Sequence, residues 1–108
     1  YMDFNEYQNA TRKTAIHPAD QGLIYTTLGL TGEAGEVAEK VKKMIRDDIE
    51  LDDKYRGKIV RELGDVLWYV SNLAHELGVS LDTVAKANLC KLNSRKSRDV
   101  IKGDGDER

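Results

Sequence analysis

Proline occurs once in the chain, at Pro18, and cysteine once, at Cys90. With no proline after residue 18 and few β-branched runs, the composition favours an all-α fold. One cysteine excludes an internal disulfide and fits a reducing cytoplasm. No apolar run approaches the roughly 18 residues of a membrane span, and no signal peptide precedes the first periodic segment, so no membrane partner is expected. The formal charge is only -2, which leaves no basic footprint for a nucleic-acid polymer. What remains is 108 residues, 40% apolar and 33% charged, enough for one soluble helical domain over 1–108 but not for two.

Two stretches carry chemistry. LGLTGEAGEVAEKVKK, from Leu28 to Lys43, places Glu33 and Glu36 three residues apart, and VRELGDVLWYV, from Val60 to Val70, does the same with Glu62 and Asp65. On a helical wheel with Leu30 at zero, Ala34, Val37, Ala38, Val41, Met44 and Ile45 fall within about 80°, an apolar stripe. Glu33 and Glu36 fall beside it, at about 300° and 240°. From Ile59, the stripe is Leu63, Val66, Leu67, Val70, Leu73, Ala74 and Leu77, and Glu62 and Asp65 again fall at about 300° and 240°. If the two stripes pack on each other, four carboxylates converge at the edge of the core. Like charges that close cost several kcal/mol unless a cation sits among them. Oxygen-only donors suit Mg²⁺, with Mn²⁺ as a substitute, better than zinc. Either pair alone reads most simply as solvated surface acid; the repeated spacing on one flank argues otherwise.

In chain order, Asp3 and Glu6 form a capping-box pattern opening a first helix. Phe4, Tyr7, Ala10 and Thr14 lie on its inner face, and its end is expected near Ile16, ahead of Pro18. His17, a loop histidine without a partner in sequence, reads as uninvolved. A second helix spans Asp20 to about Arg46. Its four glycines cost on the order of 1 kcal/mol each relative to alanine, which implies close approach of a backbone or ligand at Gly29 and Gly32, or else a break near Thr31. Lys40 and Lys43 share the acidic flank and can meet a ligand's phosphates, or simply pair with Glu36 and Glu39. After the charged connector DDIELDDK, a third helix runs from Asp53 to Leu77 and closes at Gly78. Trp68 falls near 180°, opposite the stripe, where a partner subunit is expected to cover it. Tyr69 falls between Glu62 and Asp65 in angle, placed to stack on a ligand or to pack at the core edge. A fourth helix from Ser80 or Leu81 turns Leu81, Val84, Ala85, Leu89 and Leu92 inward and carries Asn88, Lys91 and Arg95 as a polar, basic ridge suited to a polyphosphate. The tail 102–108, KGDGDER, is expected to be flexible or ordered by a partner.

The segments GLTGEAGEVAEKVKK, ELGDVLWYVSNLAHELGVSL and NLCKLNSR, in that order, resemble the all-α nucleoside triphosphate pyrophosphohydrolases of the MazG-like family. EYQ in the first helix and GDGDER at the tail extend the resemblance over nearly the whole chain. It implies a four-helix bundle-like subunit assembled as a dimer or tetramer, with Mg²⁺ held by Glu33, Glu36, Glu62 and Asp65. It further implies attack of a metal-activated water on the α-phosphate of a nucleoside triphosphate, giving a monophosphate and pyrophosphate. Glu36 and Glu62 are the catalytic candidates, Glu36 by position the one to orient or deprotonate water. Tyr69, Asn88, Lys91 and Arg95 match positions near the nucleotide. Two other readings compete. A catalytically silent helical oligomeric module would keep the fold but has no need of four convergent charges. A carboxylate-bridged redox metal protein would need Glu-x-x-His pairs, and neither His17 nor His75 supplies one.

Overall fold

Side-chain caps fix where three of the four helices begin, the second being the exception. In the computed structural model, which describes residues 1–99 and 101–106, α1 spans Phe4–Thr11, α2 Gly22–Asp47, α3 Asp53–Glu76 and α4 Leu81–Ser97, with no strand among the described residues. The expected capping box is formed: Asp3 Oδ1 accepts from Glu6 N at 2.8 Å, and Asp3 N donates to Glu6 Oε1 at 3.1 Å. Asp52 caps α3 and Ser80 caps α4, each accepting from a backbone N–H three residues on. α2 ends at Asp48 in the left-handed conformation (φ 53°), and Gly78 (φ +73°) follows the last turn of α3.

The first helix is shorter than expected. α1 stops at Thr11, and a 3-10 turn over Arg12–Thr14 takes its place before the chain crosses to a second 3-10 turn at Ala19–Gln21. Its buried face is also polar, contrary to the apolar pattern: Phe4 is 45% exposed and Ala10 is exposed, whereas Gln8 and Thr11 are buried. Gln8 accounts for this. Its amide nitrogen donates to the carbonyls of Ser71 and Val79, and its oxygen accepts from Leu81 N at 2.9 Å. One side chain thereby ties α1 to α3 and to the start of α4. Thr11 and Ser71 share a hydroxyl contact of 3.3 Å, and Arg12 donates to Asn72 Oδ1 at 2.7 Å. A buried polar group is tolerated where it is fully bonded in this way.

α2 and α3 form an antiparallel hairpin, and three contacts set its register. Tyr55 Oη, at the start of α3, donates to the Lys40 carbonyl near the end of α2 at 2.6 Å. Tyr69 lies against Gly29, and Glu76 lies against Gly22. α2 runs unbroken through its glycines, so the break near Thr31 does not occur. Lys42 rather than Lys43 pairs with Glu39.

The apolar stripes are only half covered. Val41 is 43% exposed, Ile45 82%, Leu63 52% and Leu77 62%, while Tyr55, Ala74 and Leu81 are the buried apolar residues. Of the residues expected to face inward from α4, only Leu81 is buried, Ala85 is half-buried, and Val84, Leu89 and Leu92 are exposed. The accessible surface is 8086 Å² and the radius of gyration 16.7 Å. A compact chain of this size would show about 6,100 Å² and about 13 Å. Helical spacing specifies an apolar face but not what covers it. Among the described residues no helix is long and apolar enough to cross a membrane. The last two residues of the tail, 107 and 108, lie outside the described residues.

Candidate metal centre and adjoining cavity

The register that sets Tyr69 beside Gly29 also sets Glu33 of α2 across from Glu62 and Asp65 of α3. One carboxylate oxygen from each of the three lies within 4.8 Å of the other two. Glu36 stands one turn further along α2, exposed and outside that trio, although its charge still acts on Glu33. Among the described residues no lysine or arginine forms an ion pair with any of these four acids. Burial first, then the charges of Asp65, Glu62 and Glu36 and a hydrogen bond with Glu62, hold the Glu33 carboxyl above the usual carboxylate range. Three oxygen donors from two rigid helices, with no organic cation among them, fit a hard divalent ion.

A cavity of about 400 Å³ adjoins the trio. Glu33 and Asp65 contribute its acidic lining, Tyr25, Trp68 and Tyr69 its aromatic lining, and Thr14 and Ile16 reach it from the segment before α2. Trp68 meets Tyr69 edge-on, with ring centroids 4.9 Å apart and planes at 79°, and Tyr25 lies 6.4 Å from Tyr69. Burial, and next the neighbouring Tyr25, push the Tyr69 phenol above its ordinary value, so its hydroxyl remains a proton donor. Tyr7 on α1 is likewise raised, by burial and then by Asp65.

Trp68, which helical spacing places opposite the apolar stripe, lines this cavity in the single chain. Its indole Nε1 donates to Thr14 Oγ1, in the segment before α2, at 2.8 Å. The glycine expectation divides: a Cβ at Gly29 would collide with the Tyr69 ring, whereas a Cβ at Gly32 would meet nothing within 4 Å among the described residues. His17 also departs from expectation, since its side chain is buried against Glu76 and Tyr25.

The basic residues stand elsewhere in the single chain. Asn88 and Lys91 line a separate cavity of about 470 Å³ with Val79, Thr83, Val84 and Ala87. Arg95 is buried and donates from Nη2 to the Asp106 carbonyl at 2.6 Å, to Asp106 Oδ1 at 3.2 Å and to the Gly105 carbonyl at 3.3 Å. Lys91 Nζ reaches Asp106 Oδ1 at 3.0 Å. Lys91 first and then Arg95 hold the Asp106 carboxyl below its usual range. Lys40 and Lys43 are half-buried on α2 and line neither cavity.

Sequence reasoning missed Tyr25, Thr14 and Ile16 as cavity residues. Tyr25 had a usable signal, one turn before Gly29 and two before Glu33 on the same helical face. Ile16 had none.

Two comparisons bear on this arrangement. The model of the MazG nucleotide pyrophosphohydrolase domain matches residues 21–99, which include all of α2, α3 and α4. The chain is also 50% identical over 114 residues to the Gene 37 protein of Mycobacterium phage L5, covering 99% of this chain and 100% of that protein. No solved structure matches. With the acidic trio and its hairpin inside the matched span, the chain belongs to the MazG nucleotide pyrophosphohydrolase family.

Proposed function

We propose that this chain is a Mg²⁺-dependent nucleotide pyrophosphohydrolase, cleaving (deoxy)nucleoside triphosphates between the α- and β-phosphates to a monophosphate and pyrophosphate. The observation that carries the reading is the trio of Glu33, Glu62 and Asp65, within 4.8 Å of one another and beside an aromatic-lined cavity. The divalent ion supplies, when bound, a more acidic water and an offset for charge on the phosphates. Glu33, Glu62 and Asp65 would hold it, and Glu36, one turn away and exposed, would orient or deprotonate the attacking water. Tyr69 donates its hydroxyl to the nucleotide, and Tyr25 and Trp68 offer faces for its base.

The outer phosphates need cations that the trio's own surroundings lack. Lys40 and Lys43 lie on the same helix as Glu33, while Asn88, Lys91 and Arg95 stand on α4. We assign the latter group to a site completed in a homo-oligomer, dimer or tetramer. The exposed apolar stripes and the roughly 2,000 Å² of surface beyond that of a compact chain support such an assembly. For Lys91 and Arg95 to take phosphate, Asp106 must give up its place beside them. Nucleotide-pool sanitation is the role this chemistry would serve. The reading is tested by incubating the protein with a panel of nucleoside triphosphates and Mg²⁺ and resolving the products. Monophosphate with pyrophosphate is expected for at least one nucleotide; stepwise release of single phosphates would assign a different reaction.

A further inference from the structure

His17 lies between the two 3-10 turns, in a segment that periodicity leaves unassigned, yet its side chain is only 3% exposed. Two contacts hold the ring, and one of its nitrogens is left unpartnered. Nε2 is 3.3 Å from Glu76 Oε1, the ring stacks on Tyr25 with centroids 5.0 Å apart and planes at 24°, and Nδ1 is buried with no hydrogen-bond partner. The tautomer with its proton on Nε2 suits this environment, because it donates to Glu76 and leaves at Nδ1 a bare lone pair instead of an unsatisfied N–H. Glu76 in turn lies where a Cβ at Gly22 would fall. A glycine at the first residue of α2 therefore lets the last turn of α3 reach His17.

The consequence is a pinned segment. Residues 12–21 carry Thr14, which accepts from Trp68 Nε1, and Ile16, and both line the cavity. The Tyr25 ring that His17 stacks on lines it too, and it stands against Tyr69. His17 itself does not line this cavity, and its ring meets Glu76 and Tyr25 rather than the acidic trio, so cleavage chemistry is not assigned to it.

We propose that His17 is a positioning residue: through Glu76 and Tyr25 it fastens the 12–21 segment so that Thr14, Tyr25 and Trp68 stand as one wall facing Glu33 and Asp65. It thereby sets how tightly the nucleoside end of the substrate is held, not how fast the bond breaks. The kinetic half of this statement rests on the proposed pyrophosphohydrolase activity; the placement of the wall does not.

His17→Phe keeps a ring on Tyr25 but removes the donor, and His17→Gln restores a donor near the position of Nε2. His17→Phe is expected to raise KM roughly five- to tenfold with kcat within about twofold, and His17→Gln to return KM to within about twofold of the parent. Trp68 is the single tryptophan, so acrylamide quenching of its emission reads the wall without any turnover. Quenching should rise in His17→Phe and return toward the parent value in His17→Gln. If His17→Phe does not fold, His17→Asn, too short to reach Glu76, carries the same expectation. Unchanged KM and quenching in the donor-less variant would overturn the proposal, as would a loss confined to kcat. If the parent protein hydrolyses no nucleotide, the functional reading fails by itself and quenching alone decides the place of His17.

Discussion

The ring of Tyr69 occupies the space that a side chain on Gly29 would fill. This contact brings α2 and α3 together at the cavity wall, one helical turn from Glu33, and makes the smallest residue a requirement of the site rather than a concession to flexibility. Gly29→Ala should therefore destabilise the protein by about 1–3 kcal/mol through overpacking. In thermal unfolding that is a Tm loss of roughly 5–20 °C.

Gly32 is the control on the same helix. A Cβ there meets nothing within 4 Å among the described residues, so Gly32→Ala should gain about 0.5–1 kcal/mol of helix propensity. A Tm at or above that of the parent protein is expected, and a large loss would mean that a neighbouring chain approaches there.

The raised Glu33 carboxyl gives the metal-free protein a definite pH dependence. Because the folded chain holds this proton more tightly than the unfolded one, its contribution makes stability fall as pH rises from the unfolded value through the raised folded value. Below that window there is no penalty, and above it the penalty is complete. Glu33→Gln should then raise the metal-free Tm at neutral pH and bring little change at about pH 4. Saturating Mg²⁺ should raise the parent Tm on the order of 10 °C at neutral pH, fade as protons compete for the carboxylates, and leave Glu33→Gln unmoved.

Gln8 joins three segments through one amide, so Gln8→Leu leaves the buried Leu81 N–H and two carbonyls without that partner. A cost of about 2–4 kcal/mol in chemical denaturation is expected. A loss well under 1 kcal/mol would mean that α1 is not fastened by this side chain.

Asp106 sits on both basic groups assigned to the substrate's outer phosphates. Its removal in Asp106→Ala should lower KM for a triphosphate roughly two- to fivefold, the size of an exposed charge pair. Lys91→Ala should raise KM roughly tenfold. If both substitutions leave KM unchanged, this ridge serves only to hold the tail.

Much of this arrangement is legible in helical spacing. The flank shared by Glu33, Glu62 and Asp65 follows from 100° per residue, and an antiparallel hairpin with a short connector brings such flanks together. Tyr25 falls at about 220° on the wheel that places the acids, so it too was within reach. The bond from Trp68 to Thr14 was not, because a wheel describes one helix and the segment carrying Thr14 is built of short 3-10 turns whose path no periodicity encodes. The polar interior around Gln8, Thr11, Ser71 and Asn72 escaped for a different reason: such residues are buried only when bonded, and the partners lie about sixty residues away. The half-open stripes mark the limit of the single chain, since Ile45 and Leu63 declare an apolar face without naming what lies against it.

The central claim is that the carboxylates crossing from α2 to α3 perform hydrolysis. Its most direct test is Mg²⁺-dependent pyrophosphate release by the parent protein and by Glu62→Gln, with thermal unfolding showing both to be folded. A loss on the order of a hundredfold or more in Glu62→Gln, at an unchanged or higher metal-free Tm, is the predicted result. Equal pyrophosphate release by the two proteins would contradict it.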